Sequence, residues 1–402
     1  MTDDTLAHCM RIAASDLVVC TPDLAPYLRD LSVESECRFA CISLSLSSFG
    51  PLELSHEDIK TTNLTQIRYE DLQVASRSFS KRARGKRTLK DVGTLIYTSG
   101  TSGKPKAVSI KNFLLVVVST ASAPDARNPG RYWPLRTFSC LPLFHATCLF
   151  TGLFYSVGSS STFCVSRKFS ASKFTKELTL SGATRMLYVG ELCRYLLAAK
   201  PSTYDQSHKV IVATGNGLQR DIWEKFRHRF KIPEIREFYR STEGIAKFDN
   251  CSRGHAASAG MVGYAGPIRR YFEDDTYIVK YDPSTEQPYR DAKTGYCVIA
   301  SLDEPGEAIG RVRSMDFYNE YLNNPEANKL KLIGDVFEKG DLFQRTGDLL
   351  VQSRGGYISF HDRSGDTFRW RGENVSAGEV RDHITRLSNV EDVTVYGIKL
   401  EG

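Results

Sequence analysis

Four stretches of this sequence carry residue types and spacings suited to chemistry on a nucleotide. In residues 94–111, TLIYTSGTSGKPKAVSIK, the β-favouring Leu95, Ile96 and Tyr97 lead into Thr98, Ser99, Gly100, Thr101, Ser102, Gly103 and Lys104, then Pro105 and Lys106. Glycines let backbone N–H groups approach a phosphate, hydroxyls donate further hydrogen bonds, and two lysines supply positive charge. This is the composition of a triphosphate cradle. It is not a Walker A loop, because Gly100 and Gly103 are too close and Pro105 follows Lys104. Glu237-Phe238-Tyr239-Arg240-Ser241-Thr242-Glu243-Gly244 offers an aromatic to stack on adenine, a hydroxyl for an α-phosphate and a carboxylate, Glu243, for a hard cation such as Mg²⁺. Gly215-Asn216-Gly217 allows close backbone approach to a flat ring, with free N–H groups where a helix opens. In Thr346-Gly347-Asp348 the carboxylate suits two adjacent O–H donors. Each alone has an ordinary alternative: a flexible turn, an αβ connection or a charged surface turn.

These groups need elements to hold them. The phosphate loop follows a strand and is expected to lead into a helix. From 137 to 240, strands at 137–141, 161–165, 185–189 and 209–213 alternate with helices at 170–180, 191–200 and 218–230. In the last helix Leu218, Ile222, Trp223, Phe226 and Phe230 share one face. Such alternation predicts an α/β fold with a largely parallel, doubly wound sheet, and ligands beyond the carboxyl ends of its strands. Residues 1–60 hold a short helix around Leu6, Met10 and Ile12, strands at 17–20 and 39–46, and a helix at 24–31. Near the end, 357–361 and 367–370 are expected to form a hairpin. Ser376 and Glu379 form a capping box for a helix, and 393–398 reads as a strand.

Length and composition bound the rest. With 402 residues, 41% hydrophobic and 25% charged, the chain is of globular type and can hold two or three domains. A net charge of +6 suits anionic small molecules and does not call for nucleic acid. The basic run at 77–90 has a single aromatic, Phe79, among its charges and reads as a solvated loop. Ten scattered cysteines without a C-x-x-C pair, and no signal sequence, point to reduced thiols in an intracellular setting, cytoplasmic or associated with peroxisome or endoplasmic reticulum. The apolar run 113–118 is far too short to span a bilayer, and the last residues carry no Ser-Lys-Leu address. Membrane association is not signalled.

Taken together, the motifs resemble those of the adenylate-forming (AMP-binding) superfamily. The loop at 98–107 is similar to T-S-G-T-T-G-x-P-K-G, with Ser102 for Thr and Ala107 for Gly, and Tyr239–Glu243 to Y-G-x-T-E, with Arg240 where many members have Gly. Leu141-Pro142-Leu143-Phe144-His145 resembles L-P-x-x-H, where the His borders the carboxylate pocket; read alone, His145 is more readily a core or loop histidine. Residues 188–196 and DRSGDTFRWRGENVSAGEV at 362–380 look like the very-long-chain acyl-CoA synthetase and fatty-acid transport protein branch. The resemblance implies a large AMP-binding domain over 1–361, whose N-terminal part is missing, and a partial α+β domain over 362–402. It implies ATP or AMP, Mg²⁺ at Glu243, CoA as co-substrate, and activation of a lipophilic carboxylic acid through an acyl-adenylate to a thioester. Thr101, Lys106, Thr242, Glu243 and His145 would take catalytic roles. Residues 98–104, Gly215, Asn216, Gly217, Glu237, Phe238, Tyr239, Thr242, Asp348 and Arg363 would hold the nucleotide. No residue matches the family's C-terminal lysine, so the expectation is a chain that binds nucleotide yet adenylates poorly. A non-catalytic nucleotide- or lipid-binding remnant is the alternative.

Overall fold

The computed structural model describes residues 3–15, 17–21, 24, 38–43, 64–68, 86–98, 104–120, 135–364, 367–370, 373–385, 387, 389–390 and 393–396. They divide into two compact units, 1–112 with 320–325, and 113–319 with 326–402.

In the first unit, helix α1 (Asp3–Ala13) precedes a parallel sheet of β1 (Leu17–Cys20), β2 (Arg38–Ser43) and β3 (Leu64–Arg68) in that order. The stretch expected to form a helix after Pro105 is instead a strand: β4 (Val92–Thr98) and β5 (Lys106–Lys111) pair antiparallel, Thr98 opposite Lys106. K-A-V-S-I-K, with β-branched Val108 and Ile110 and with Ala107, Val108, Ser109 and Ile110 all buried, has strand rather than helix chemistry. Tyr321 bridges β5 at Val108, and the Tyr97 hydroxyl donates to the Cys9 carbonyl of α1 at 2.6 Å. Most of the expected helix at 24–31 lies outside the described residues.

The second unit opens with helix α2 (Asn112–Ser119), whose first residue belongs to the other unit. Its first sheet runs β11-β10-β9-β8-β6-β7. The members are β6 (Thr137–Ser139), β7 (Phe163–Val165), β8 (Arg185–Val189), β9 (Val212–Asn216), β10 (Glu234–Tyr239) and β11 (Phe248–Ser252). All pairings are parallel except that of β10 with β11. A π-helix (Thr147–Phe154) continuing as α3 (Tyr155–Gly158) links β6 to β7. Then come α4 (Ala171–Ser181), α5 (Gly190–Ala198) and α6 (Arg220–Arg229). From the adjacent pair β6–β8 the chain moves outward in both directions. Right-handed crossovers therefore put the π-helix on one face and α4, α5 and α6 on the other. That is double winding. Phe174 and Leu178 of α4, Leu192 and Leu196 of α5, and Trp223 and Phe226 of α6 pack with Met186, Leu187 and Ile235 into one core. β9 starts three residues later than its sequence suggests, because Lys209–Ile211 lead in as irregular backbone.

A second sheet, antiparallel, has the order β12-β18-β17-β15-β13-β14, with β16 on β17. Its strands are β12 (Gly263–Tyr264), β13 (Thr276–Asp282), β14 (Gln287–Pro288), β15 (Pro305–Arg311), β16 (Leu332–Gly334), β17 (Leu342–Gln352) and β18 (Tyr357–Arg363). Short helices α7 (Pro267–Phe272) and α8 (Pro325–Leu330) lie between strands. The expected hairpin of 357–361 with 367–370 does not form. β18 pairs with β17 and β12, and β19 (Thr367–Trp370) pairs with β20 (Glu373–Ser376). Ile358 and Asp362 of β18 are buried, so that strand belongs to the sheet core. Helix α9 (Ala377–Ile384) follows directly, and residues 393–396 are irregular rather than strand.

Candidate functional site

In a parallel sheet all carboxyl ends lie on one edge, and a crevice opens where winding reverses. Here that edge carries the segments after β6, β8, β9 and β10, which hold His145, Gly190, Asn216–Gly217 and Tyr239–Glu243 in turn. Contacts knit them together. A Cβ at Gly190 would collide with the Gly217 carbonyl, and one at Gly215 with that of Tyr188. Gly217 has φ +80°, open only to glycine at low cost. Thr147, at the start of the π-helix, donates to Asn216 Oδ1 at 3.4 Å. His145 itself is exposed, its ring 4.5 Å from that of Phe144.

The centre of the site joins β10 to the antiparallel sheet. The Tyr239 hydroxyl donates to Asp348 Oδ2 at 2.6 Å, and Arg363 Nε lies 3.5 Å from Oδ1. Asp348 and Arg363 are register partners across β17 and β18. Burial raises the Asp348 carboxyl above its ordinary range, with the Tyr239 hydrogen bond and the Arg363 and Lys331 charges pulling the other way. Burial, and next the negative Asp348, push Tyr239 up. The hydroxyl is therefore a fixed donor that holds one carboxylate oxygen in place. Glu243 is buried, with Lys331 Nζ 3.6 Å from its Oε1. Gln344 clamps the same loop: its Nε2 donates to the Glu243 carbonyl at 3.1 Å and its Oε1 accepts from Ile245 N at 2.8 Å. Arg240 sits outside, donating to both Asp249 carboxylate oxygens at 3.0 and 3.2 Å. Thr242 and Phe238 are half-buried beside these groups.

Glu237 behaves unlike the other candidates. It is buried, and its carboxylate accepts from the Gly217 N–H, from Leu218 N at 3.2 Å and from the Tyr188 hydroxyl. Its side chain faces into the sheet and shapes the Gly215–Gly217 turn, so its reach to a ligand is through that turn. The Thr-Gly-Asp turn is fixed similarly: buried Glu307 accepts from Gly347 N at 3.0 Å and from Arg345, whose Nη2 lies 2.7 Å from Oε2. Sequence reasoning did not find Lys331, Gln344, Arg345 or Glu307. Glu307, Gln344 and Arg345 sit in β15 and β17, and Lys331 just before β16, in a region that carries no motif.

Of the phosphate loop, Thr98, Lys104, Pro105 and Lys106 are described, in the first unit. Thr98 Oγ1 donates to Lys106 O at 3.5 Å, Lys104 is exposed, and Lys106 Nζ lies 5.3 Å above the Tyr321 ring. Ser99, Gly100, Thr101, Ser102 and Gly103 lie outside the described residues.

Do these residues fit a nucleotide and a divalent cation? Asp348 has the acceptor chemistry for vicinal hydroxyls, and the Gly215–Gly217 turn, packed on Tyr188 and Gly190, keeps backbone rather than side chains at the strand ends. Among the described residues no group of three or more His, Cys, Asp or Glu could cage a metal. A single carboxylate is the donor set of a cation that takes its other ligands from phosphate and water, which is the habit of Mg²⁺. They fit.

The sequence matches the family described as AMP-binding enzyme over residues 1–302. The chain belongs to the AMP-binding enzyme family. Within it, the chain is 34% identical over 381 residues to a very long-chain fatty acid transport protein of Cochliobolus heterostrophus, covering 91% of this chain and 57% of that one. It is also 34% identical over 407 residues to the very long-chain fatty acid transport protein of Saccharomyces cerevisiae, covering 98% and 58%. It thus spans under three fifths of the length of these curated relatives. Among solved structures, the anthranilate CoA ligase AuaEII in complex with anthranoyl-AMP superposes with a TM-score of 0.70 at 16% identity, over 99% of this chain and 68% of that one. This likeness shows that the family fold is present.

Proposed function

We propose that the chain binds ATP and takes part in activating a lipophilic carboxylic acid, forming, with release of pyrophosphate, an acyl-adenylate that the CoA thiol converts to a thioester with release of AMP. The observation that carries this reading is the convergence of Tyr239, Asp348 and Arg363, from β10, β17 and β18, with Glu243 of the loop after β10 joined to the Thr346-Gly347-Asp348 turn through Lys331. The names of the relatives support a long acyl chain. Asp348 accepts hydrogen bonds from both ribose hydroxyls, Arg363 steadies its second oxygen, and the Tyr239 ring covers the adenine beside the Gly215–Gly217 turn. Thr242 donates to the α-phosphate, and residues 98–106, in the first unit, have by themselves the composition of a phosphate loop. Bound at Glu243, a divalent cation would supply neutralisation of the phosphate charge. His145, at the carboxyl end of β6, borders the acyl group. In this reading a large domain over 1–361 works with a smaller one from 362 onward, the change coming within β18. No helix among the described residues is long and apolar enough to cross a membrane.

Calorimetric titration tests the reading. AMP should bind, and an acyl sulfamate of adenosine with a twelve-carbon chain, a probe chosen for its acyl tail, should bind at least about tenfold tighter, because it engages both halves of the site. Asp348→Ala should weaken both by about a hundredfold, the loss of two hydrogen bonds to a charged group. Undiminished binding by the variant, or none by the parent chain, would refute the assignment.

A further inference from the structure

Lys331 lies immediately before β16, and its backbone carbonyl accepts from Arg345 N at 2.8 Å, which fixes the base of the side chain on β17. Its ammonium donates to the Thr346 carbonyl at 3.1 Å and stands 3.6 Å from Glu243 Oε1. It therefore bridges the two motifs that the proposed function assigns to metal and ribose. Lys331 is about a quarter exposed at its side chain and Glu243 about a tenth. A carboxylate so sheltered is held in place by a nearby positive charge. A divalent cation on the same oxygen would face the ammonium at close range, and the two repel strongly in a partly desolvated site. Lysine, a point charge on a flexible four-carbon stem, can yield its place where arginine's planar fork could not.

We propose that Lys331 is a resident counter-ion of the Glu243 carboxylate, exchanging with the divalent cation: the ammonium holds the carboxylate in the metal-free chain and withdraws when the metal binds. This rests on the reading of Glu243 as the metal ligand. It makes Lys331 a positioning residue, with its effect felt before any turnover.

The test is thermal unfolding of the full chain with Mn²⁺ alone as probe, without nucleotide. Lys331→Gln keeps a donor toward the Thr346 carbonyl and removes the charge, and its melting temperature without metal serves as its own baseline. Mn²⁺ should raise the melting temperature of Lys331→Gln more than that of the parent, because the metal replaces a missing charge rather than displacing a present one. Binding of Mn²⁺, read by water-proton relaxation, should tighten about tenfold. Lys331→Arg should bind Mn²⁺ no more tightly than the parent, and Glu243→Gln should abolish the Mn²⁺ response with or without Lys331. Equal Mn²⁺ responses in the parent and Lys331→Gln, including no response in either, would overturn the counter-ion role. AMP binding that depends on Asp348 would then still stand, so failure of this inference is separable from failure of the nucleotide reading.

Discussion

Glu237→Ala is expected to destabilise the second unit by about 3 kcal/mol or more at every pH, since it strands the Gly217 and Leu218 N–H groups and the Tyr188 hydroxyl in the interior, each costing roughly 1–3 kcal/mol. Glu237→Gln behaves differently. Burial lifts the Glu237 carboxyl to about 8, against the pull of its three hydrogen bonds. The folded chain therefore holds a proton on Glu237 that the unfolded chain releases near the ordinary carboxyl value of 4.5. Between those two values the folded state binds more protons than the unfolded one, so the group's contribution falls as pH rises through the window. Stability favours the acid side, and above about pH 8 the full cost of a buried charge is present. The upper bound on that cost is a few kcal/mol, at about 1.4 kcal/mol per pKa unit. Glu237→Gln removes the titration and keeps an acceptor for the two N–H groups. Urea unfolding between pH 5 and 9 should show the parent losing stability relative to this variant as pH rises. Parallel curves for the two would contradict the account.

The second large effect concerns the Thr-Gly-Asp turn. Arg345→Met should cost about 3–5 kcal/mol, because Glu307, fully buried, loses the guanidinium that neutralises it. The turn loosens with it, since Glu307 also holds Gly347 N. The neutral double variant Glu307→Gln with Arg345→Met should recover much of the loss. A double variant no more stable than Arg345→Met alone would show that the ion pair is not what the single change breaks.

The parallel half of the fold was legible because its strands are buried on both faces and its helices have clean apolar stripes. Trp223 and Phe226 fall on the side of α6 that the spacing marks, and both are fully buried. The antiparallel half was not. Its strands are short or bulged, as at Glu307/Ile309 and Leu349/Leu350, and a bulge breaks the alternation by which a strand is recognised. The helix expected after Pro105 failed for a related reason: a turn rich in Gly and Ser serves a hairpin as well as a strand–helix junction, and Val108 and Ile110 decide for the hairpin.

Of the site, the residues that would touch a ligand announced themselves through unusual chemistry in short motifs. Those that hold them in place did not. Glu237 sat inside a motif, yet only the fold shows its carboxylate turned inward to Gly217 and Tyr188. Gln344 and Arg345 are ordinary residues of β17 and Lys331 directly precedes β16, and their meaning comes from pairing β16, β17 and β15 side by side. Long-range register is what a local reading of sequence lacks.

Amide hydrogen exchange of the full chain with and without saturating AMP probes the adenosine site most directly. Slowed exchange should appear together at 214–218, 239–244 and 346–348, and should vanish in Asp348→Ala. Protection confined to other segments, or unchanged by that substitution, would mean that the strand ends of the second unit are not where the nucleotide is held.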